Sequence, residues 1–159
     1  MWCCKRGDQG QRMSRVRKIL LGLLIILVLI QFIQPARNKS SELLSTDLTK
    51  TFNVPENVQL VLKASCYDCH SNNTNYPWYS RIQPGAWWLH SHIQNGKEEL
   101  NFSEFGSFSM RRQKSKLKAI ADAIADKNMP LKSYTLLHPA AKLSEADRKL
   151  VIDWAEKTR

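Results

Sequence analysis

The sequence lacks several features on which other classes of protein depend. Nothing in its 159 residues alternates apolar and polar side chains as a β-strand does, and no segment repeats. Acidic residues are scarce, 14 against 24 lysines and arginines, so the formal net charge is +10. The length suits one small domain with an accessory segment and excludes two large cores. We therefore expect an all-α chain with one small core.

The excess of positive charge is concentrated at the N terminus. Residues 1–18 hold six basic side chains and a single acidic one, and so carry half of the net charge. Because this stretch stands directly before an apolar run, it is better explained as a signal for membrane topology than as a surface that binds phosphates. We expect no nucleic-acid partner.

The apolar run is ILLGLLIILVLIQFI, over residues 19–33. It contains no charge and no polar stripe, and no small-residue cleavage pattern follows it. We predict an uncleaved transmembrane signal-anchor over 19–34, preceded by a cytoplasmic basic segment over 1–18. The remainder would be the periplasmic part of a single-pass protein of the inner membrane, with a polar linker over 35–52 and a folded domain over 53–159.

The folded part shows four stretches of helical periodicity with long connections. Pro55 suits a first helical turn, Gly96 is expected to stop the second helix, and Pro130 breaks the third. Ser144 and Asp147 form a partial capping box at the start of the last helix. Helices are therefore predicted over residues 55–65, 84–95, 109–127 and 144–154, and residues 101–108 are predicted to form a loop.

The motif that carries chemistry is Cys66-Tyr67-Asp68-Cys69-His70, a CxxCH pattern. Two thiols three residues apart on one turn add to the two vinyl groups of a haem, and the adjacent histidine presents an imidazole nitrogen to the iron from the same face. A location outside the cytoplasm favours this chemistry. Cys66 and Cys69 are thus predicted to hold haem c, with His70 as a ligand of its iron.

Four other interpretations of the motif stay open. A disulfide between Cys66 and Cys69 leaves His70 unexplained. A thioredoxin-like redox pair needs a βαβ pattern, which the sequence does not show. Zinc held by both cysteines with His90 and His92 needs a His-x-His spacing that is tighter than usual. The fourth interpretation is a chance occurrence of a short motif.

The iron ligand opposite His70 decides between electron transfer and catalysis. Met129 is favoured, because it follows a helix on a segment that contains a proline, 59 residues after His70. The alternatives are His90 or His92, or an open position. Ligation by methionine and histidine stabilises ferrous iron relative to ligation by two histidines, so this choice sets the potential. Met110 and His138 complete the set of candidates.

Further residues are candidates for contacts with the porphyrin. Trp88 is predicted to pack against the ring, and Tyr134 to donate a hydrogen bond to a propionate. Arg81 and Lys132 are candidates for pairing with propionates. Trp88 belongs to an aromatic group near the motif that also contains Tyr67, Tyr76, Trp78, Tyr79 and Trp87.

Two stretches carry a resemblance to a known family: SCYDCHSNNTNYPWYSRIQPGAWWLHSHIQNGKEELNFSEF and MPLKSYTLLHPAAKLSEADRKLVIDWA. From Val54 to Trp154 the chain resembles the small bacterial haem-binding domain family of cytochrome c type. The resemblance implies a cytochrome c-like helical domain with covalent haem c at the two cysteines of CxxCH. It further implies His70 as the proximal iron ligand and Met129 as the distal one.

We expect a membrane-anchored domain with one haem c that carries single electrons to redox protein partners. No small-molecule substrate and no enzymatic activity are expected. The alternative is a haem peroxidase with an open iron position and His90 or His92 as acid–base groups, or a haem-based sensor that exchanges ligands at the iron.

Overall fold

A computed structural model describes residues 14–40 and 42–159. The described chain is helical and contains no strand, only one isolated antiparallel bridge between Lys39 and Asn73. The all-α prediction is confirmed. Most of the predicted basic segment over 1–18 lies outside the described residues. The helices are α1 (Arg15–Ile30), α2 (Leu48–Thr51), α3 (Glu56–Ser65), α4 (Tyr67–His70), α5 (Gly85–Glu99), α6 (Met110–Ala125), α7 (Lys132–Leu137) and α8 (Glu145–Thr158), with 3₁₀ helices over Trp78–Arg81, Phe102–Ser107 and Pro139–Ala141.

The last helix begins as its sequence predicts. The Asp147 backbone N–H donates to Ser144 Oγ at 3.1 Å, and the Ser144 N–H donates to Asp147 Oδ2 at 3.1 Å, which completes a capping box. α8 packs against α6 and α3 around one hydrophobic core. Its fully buried members include Val58, Leu62, Leu117 and Val151.

The prediction of a loop over 101–108 is wrong. Phe102–Ser107 form a 3₁₀ helix that belongs to the core. Phe102 and Phe105 are 1% and 0% exposed. The Asn101 side chain starts the turn by accepting a hydrogen bond from the Ser103 N–H. Two aromatic residues that are three positions apart do not make a pattern long enough to show helical periodicity. The sequence therefore does not predict the burial of Phe102 and Phe105.

The end of the predicted linker over 35–52 also packs on the domain. Asp47 caps α2, and Leu48 at its start is fully buried. Gly106 lies so close to this segment that a Cβ there would approach Thr51 Oγ1 to 2.5 Å, and the Gly106 N–H donates to Thr46 O. The predicted linker is a polar sequence with only four large apolar residues, so it shows no helical periodicity, and tertiary contacts determine its structure.

Helix α1 carries the apolar run, and none of its residues is buried. Its 16 residues extend for about 24 Å, whereas the hydrocarbon core of a bilayer is about 30 Å thick. Between residues 14 and 159, Ser41 apart, no helix is both long enough and apolar enough to cross a membrane. The transmembrane helix predicted over 19–34 is therefore not supported, because α1 ends at Ile30 and a turn follows at Gln31 and Phe32.

Candidate functional site

The CxxCH motif consists of Cys66, which joins two helices, and the single helical turn α4 that follows it. α3 ends at Ser65, and Cys66, at φ −127° and ψ −40°, leaves the helical conformation before α4 begins. The N–H groups of Cys69 and His70 both donate to the carbonyl oxygen of Cys66, at 3.2 and 3.0 Å. Both thiols of the motif are free. The turn therefore presents two thiols and one imidazole together.

The imidazole of His70 is oriented by backbone groups. Its Nδ1 lies 2.9 Å from Gly96 O and 3.0 Å from Leu100 O. Carbonyl oxygens only accept, so Nδ1 carries the proton and Nε2 keeps its lone pair. Burial lowers the pKa of His70, and the charge of Lys116 lowers it further. The hydrogen bonds to the carbonyl oxygens of Leu100 and Gly96 raise this pKa, but the net shift is downward. A neutral imidazole with a fixed Nδ1–H is the form that ligates a metal through Nε2.

Gly96 allows α5 to approach the motif closely. A Cβ at this position would lie 2.9 Å from Cys69 O and 3.3 Å from Cys69 Cβ, closer than side chains pack. The prediction that Gly96 stops the helix is wrong, since α5 continues to Glu99. The glycine serves helix packing here, and the extra turn of α5 brings the carbonyls of Gly96 and Leu100 to His70.

Two adjoining cavities of about 180 and 200 Å³ open beside the motif. The first extends between α6 and Leu143 and is largely apolar, and the second extends between α5 and α7. His70 and Met129 line both cavities, although 59 residues separate them in the sequence. The residues common to both are Ser65, Cys66, His70, Glu99, Met129 and Pro130. We refer to the two together as the CxxCH cavity.

The environment of the two partly buried thiols favours their protonated form. Burial, with a smaller effect of Cys69, raises the pKa of Cys66 to about 12. Burial and then Asp68 raise the pKa of Cys69 to about 11. A dithiol that exchanges with disulfides needs a lowered thiol pKa, so this environment disfavours the thioredoxin-like interpretation.

The zinc interpretation also lacks support from the geometry. The described part of the chain contains no group of three or more His, Cys, Asp and Glu side chains arranged to hold a metal ion. His92 lines the CxxCH cavity, whereas His90 lines a separate one. The imidazoles of this His-x-His pair therefore do not share a site.

Of the predicted porphyrin contacts, Tyr134 lines the CxxCH cavity. Its hydroxyl donates to Asp68 Oδ2 at 2.6 Å, so it links α7 to the motif. Trp88 is 41% exposed, does not line this cavity, and packs on His92 at 4.2 Å between ring centroids. Lys132 is exposed, and Arg81 lines the cavity that contains His90.

Two further candidates for iron ligation, Met110 and His138, do not line the CxxCH cavity. Met110 is 67% exposed at the start of α6. The ring of His138 stacks on Tyr134, with 4.2 Å between centroids, and does not line the CxxCH cavity.

Two charged residues at the cavity were not singled out from the sequence. Lys116 and Glu99 line it, and their side chains form an ion pair at 3.7 Å. The Lys116 side chain is 21% exposed, whereas that of Glu99 is 84% exposed. Lys116 is one of five basic residues along α6, so the sequence does not distinguish it from the other four. Only the packing of α6 shows that Lys116 lines the cavity.

A family of known proteins matches most of the chain. The model of a family described as haem-binding domain matches residues 25–157. Searches of curated proteins and of solved structures give no significant match. The residues of the CxxCH cavity fit a haem. One oriented neutral imidazole, two free thiols on the same turn and a thioether line a mainly apolar space.

Proposed function

Because the chain belongs to the haem-binding domain family, we propose that it is a c-type cytochrome domain that holds one haem covalently and carries single electrons. One observation carries the proposal: the turn that presents two free thiols also presents a backbone-oriented imidazole to a cavity that Met129 lines. Free thiols beside a metal-binding nitrogen are the arrangement that covalent haem attachment requires.

Each residue has a distinct part in holding the group. Cys66 and Cys69 would form the two thioether bonds, and His70 Nε2 would ligate the iron on the proximal side. The Met129 thioether is the proposed distal ligand, a soft donor suited to iron in a haem. Lys116, which lines the cavity, would be a cation for a propionate. The haem iron would supply a one-electron redox couple.

Distal ligation separates an electron carrier from the alternatives. If the Met129 thioether bound the haem iron, it would leave no site there for peroxide or a diatomic ligand, which would favour outer-sphere electron transfer. His92 also lines the CxxCH cavity and is the residue through which a peroxidase-like or sensor function would act. The weak long-wavelength absorption band of ferric haem ligated by a thioether would support the carrier, and a high-spin ferric spectrum would support the alternative.

The covalent attachment is tested by producing the full chain with the c-type maturation machinery. We expect a pyridine haemochrome spectrum of haem c and haem staining that survives denaturing electrophoresis. The double variant Cys66→Ala, Cys69→Ala should lose the stain, whereas Cys3→Ala, Cys4→Ala removes the same number of thiols outside the motif and should keep it. A stained Cys66→Ala, Cys69→Ala band would place the attachment elsewhere, and a colourless wild-type protein would refute the proposal.

We also propose that the domain is attached to the inner membrane on its periplasmic side and donates electrons to protein partners there. The apolar side chains of α1 support this, because the large ones from Val16 to Leu29 are all exposed and three basic residues stand at the start of the helix. Leu23→Asp with Leu27→Asp should release the protein from the membrane fraction. Leu60→Asp with Leu136→Asp, at positions that are also exposed but lie outside α1, should not. Protein that stays in the membrane fraction after the α1 substitutions would contradict attachment through α1.

A further inference from the structure

A separate cavity of about 280 Å³ lies on the other side of α5 from the CxxCH cavity. Ala86 and His90, one turn apart on α5, face this second cavity, whereas His92 and Gly96 face the first. We call it the strap cavity, since residues 34–37, which follow α1, close it. Its lining is Gln34, Pro35, Ala36, Arg37, Tyr76, Ser80, Arg81, Ala86 and His90.

Residues 34–37, which we call the strap, are held in place by side-chain hydrogen bonds to the residues just before them. The Gln83 N–H donates to Gln31 Oε1 at 2.9 Å, and Gln83 Nε2 donates to Ile33 O at 2.7 Å, with Gln83 1% exposed. Trp87 Nε1 also donates to Ile33 O, at 3.1 Å. These bonds fix the chain between α1 and the domain, so the strap cavity is preformed.

Two buried polar atoms of the strap cavity have no hydrogen-bond partner in the part of the chain that the structure describes. Ser80 is 6% exposed, and its Oγ makes no hydrogen bond within the described residues. The buried Nδ1 of His90 is unpaired in the same way. Tyr76 Oη accepts from the Asn38 N–H at 2.7 Å and keeps its own proton to donate. Buried polar groups are normally hydrogen-bonded, so these atoms indicate a polar ligand.

The charge around the strap cavity is positive. Arg37 and Arg81 line it, and its lining residues include no carboxylate. The Arg37 guanidinium lies over the Tyr76 ring, 4.6 Å from the centroid. Lys97 Nζ donates to Asn38 Oδ1 at 2.7 Å, which adds a third cation behind Tyr76. Two arginines that line one cavity together with hydroxyl and imidazole groups match an oxyanion that has several acceptor oxygens.

We propose that the strap cavity is a binding site for a phosphate-class oxyanion. The same donors would accept inorganic phosphate, a phosphate monoester or the phosphodiester of a lipid headgroup, because all of them present oxygens that accept from arginine and hydroxyl groups. The first lining residue, Gln34, follows the end of α1 by four residues, which brings the site close to the apolar helix. The site does not depend on the haem, since the CxxCH cavity lies across α5.

The first experiment titrates the full-length holoprotein, in a neutral detergent, with inorganic phosphate and follows binding by calorimetry. We expect saturable binding that Arg81→Gln weakens about tenfold, because it removes a charge-assisted hydrogen bond, and Ser80→Ala about fivefold. Arg111→Gln, an exposed charge on α6 that lies outside the lining, should bind as the wild type does. Absence of saturable binding, or binding that the two cavity variants leave unchanged, would overturn the proposal.

The second experiment distinguishes the source of the phosphate. Flotation is compared on vesicles of phosphatidylcholine with and without phosphatidylglycerol. A loss of flotation in Arg81→Gln, but not in Arg111→Gln, identifies a lipid headgroup, whereas phosphate binding without that loss identifies a free phosphate compound. Haem content is measured on every variant and should stay at the wild-type level, so that failure of the phosphate site and failure of the haem proposal are told apart.

Discussion

Two parts of the chain on the CxxCH cavity are held by different kinds of contact. We call the part that carries His70 the His70 wall and the part that carries Met129 the Met129 wall. The His70 wall is the short helix α4, which follows α3 almost directly, and two carbonyl oxygens at the end of α5 orient the His70 imidazole. Gly96 brings α5 into backbone contact with Cys69. This wall therefore needs no bound group to take its shape, because backbone hydrogen bonds and helix packing determine it.

The Met129 wall is a short connection between α6 and α7. The Met129 N–H donates to Ala123 O at 3.1 Å, and Lys127 takes a positive φ of 58° to leave α6. The hydrogen bond from Tyr134 to Asp68 ties this wall to the other. The Met129 wall is held by backbone hydrogen bonds to the end of α6 and by this side-chain bond, so the two walls should respond differently to substitution.

The largest change is expected from Met129→Ala in the haem-loaded protein. Loss of the thioether should leave the ferric iron high-spin or recruit His92, which lines the same cavity, and absorption spectroscopy measures both. Met110→Ala is the matched control, because Met110 is 67% exposed and outside the cavity. A ferric spectrum identical to that of the wild type would remove Met129 from the iron.

The His70 wall is tested by Gly96→Ala. The new methyl group would press on Cys69 O and Cβ, so we expect a loss of about 1–3 kcal/mol in the free energy of unfolding. Gly85→Ala is the control in the same helix, since its Cβ would meet only Tyr79 O at 3.6 Å. Denaturant unfolding of both variants gives the comparison. Equal stability of the two would mean that the close approach at Gly96 does not hold this wall.

The sequence predicts those features of each wall that local contacts determine, and it does not predict those that depend on residues distant in the sequence. CxxCH is a local pattern, and the capping box at Ser144 is also local, so both could be identified without a structure. The role of Gly96 could not, because a glycine near the end of a helical pattern usually marks its stop, and only the position of Cys69 shows otherwise. Met129 was one candidate among several, and distal ligation by its thioether stays a prediction.

The bond between the two walls is tested by Tyr134→Phe. Burial, and then the hydrogen bond to Asp68, raises the pKa of Tyr134, so its hydroxyl remains a donor. Removing a hydrogen bond to a carboxylate should lower the free energy of unfolding by about 1.5 kcal/mol. The same variant should weaken the long-wavelength ferric band if Met129 ligates the iron, because the Met129 wall loses its tie. Unchanged stability would show that the two walls are independent.

The smallest effect should be a gain in stability from Lys127→Gly. Lys127 has φ 58°, a conformation that glycine adopts without the steric penalty of a Cβ. The substitution also removes the ion pair of Lys127 with Glu145, but these side chains are 63% and 80% exposed, and such pairs contribute little. We therefore expect a net gain of about 0.5–1 kcal/mol in denaturant unfolding. Lys127→Ala removes the same ion pair and keeps the strained conformation, so it should give no gain. If both variants behave alike, the conformation of Lys127 is not what limits the stability of the Met129 wall.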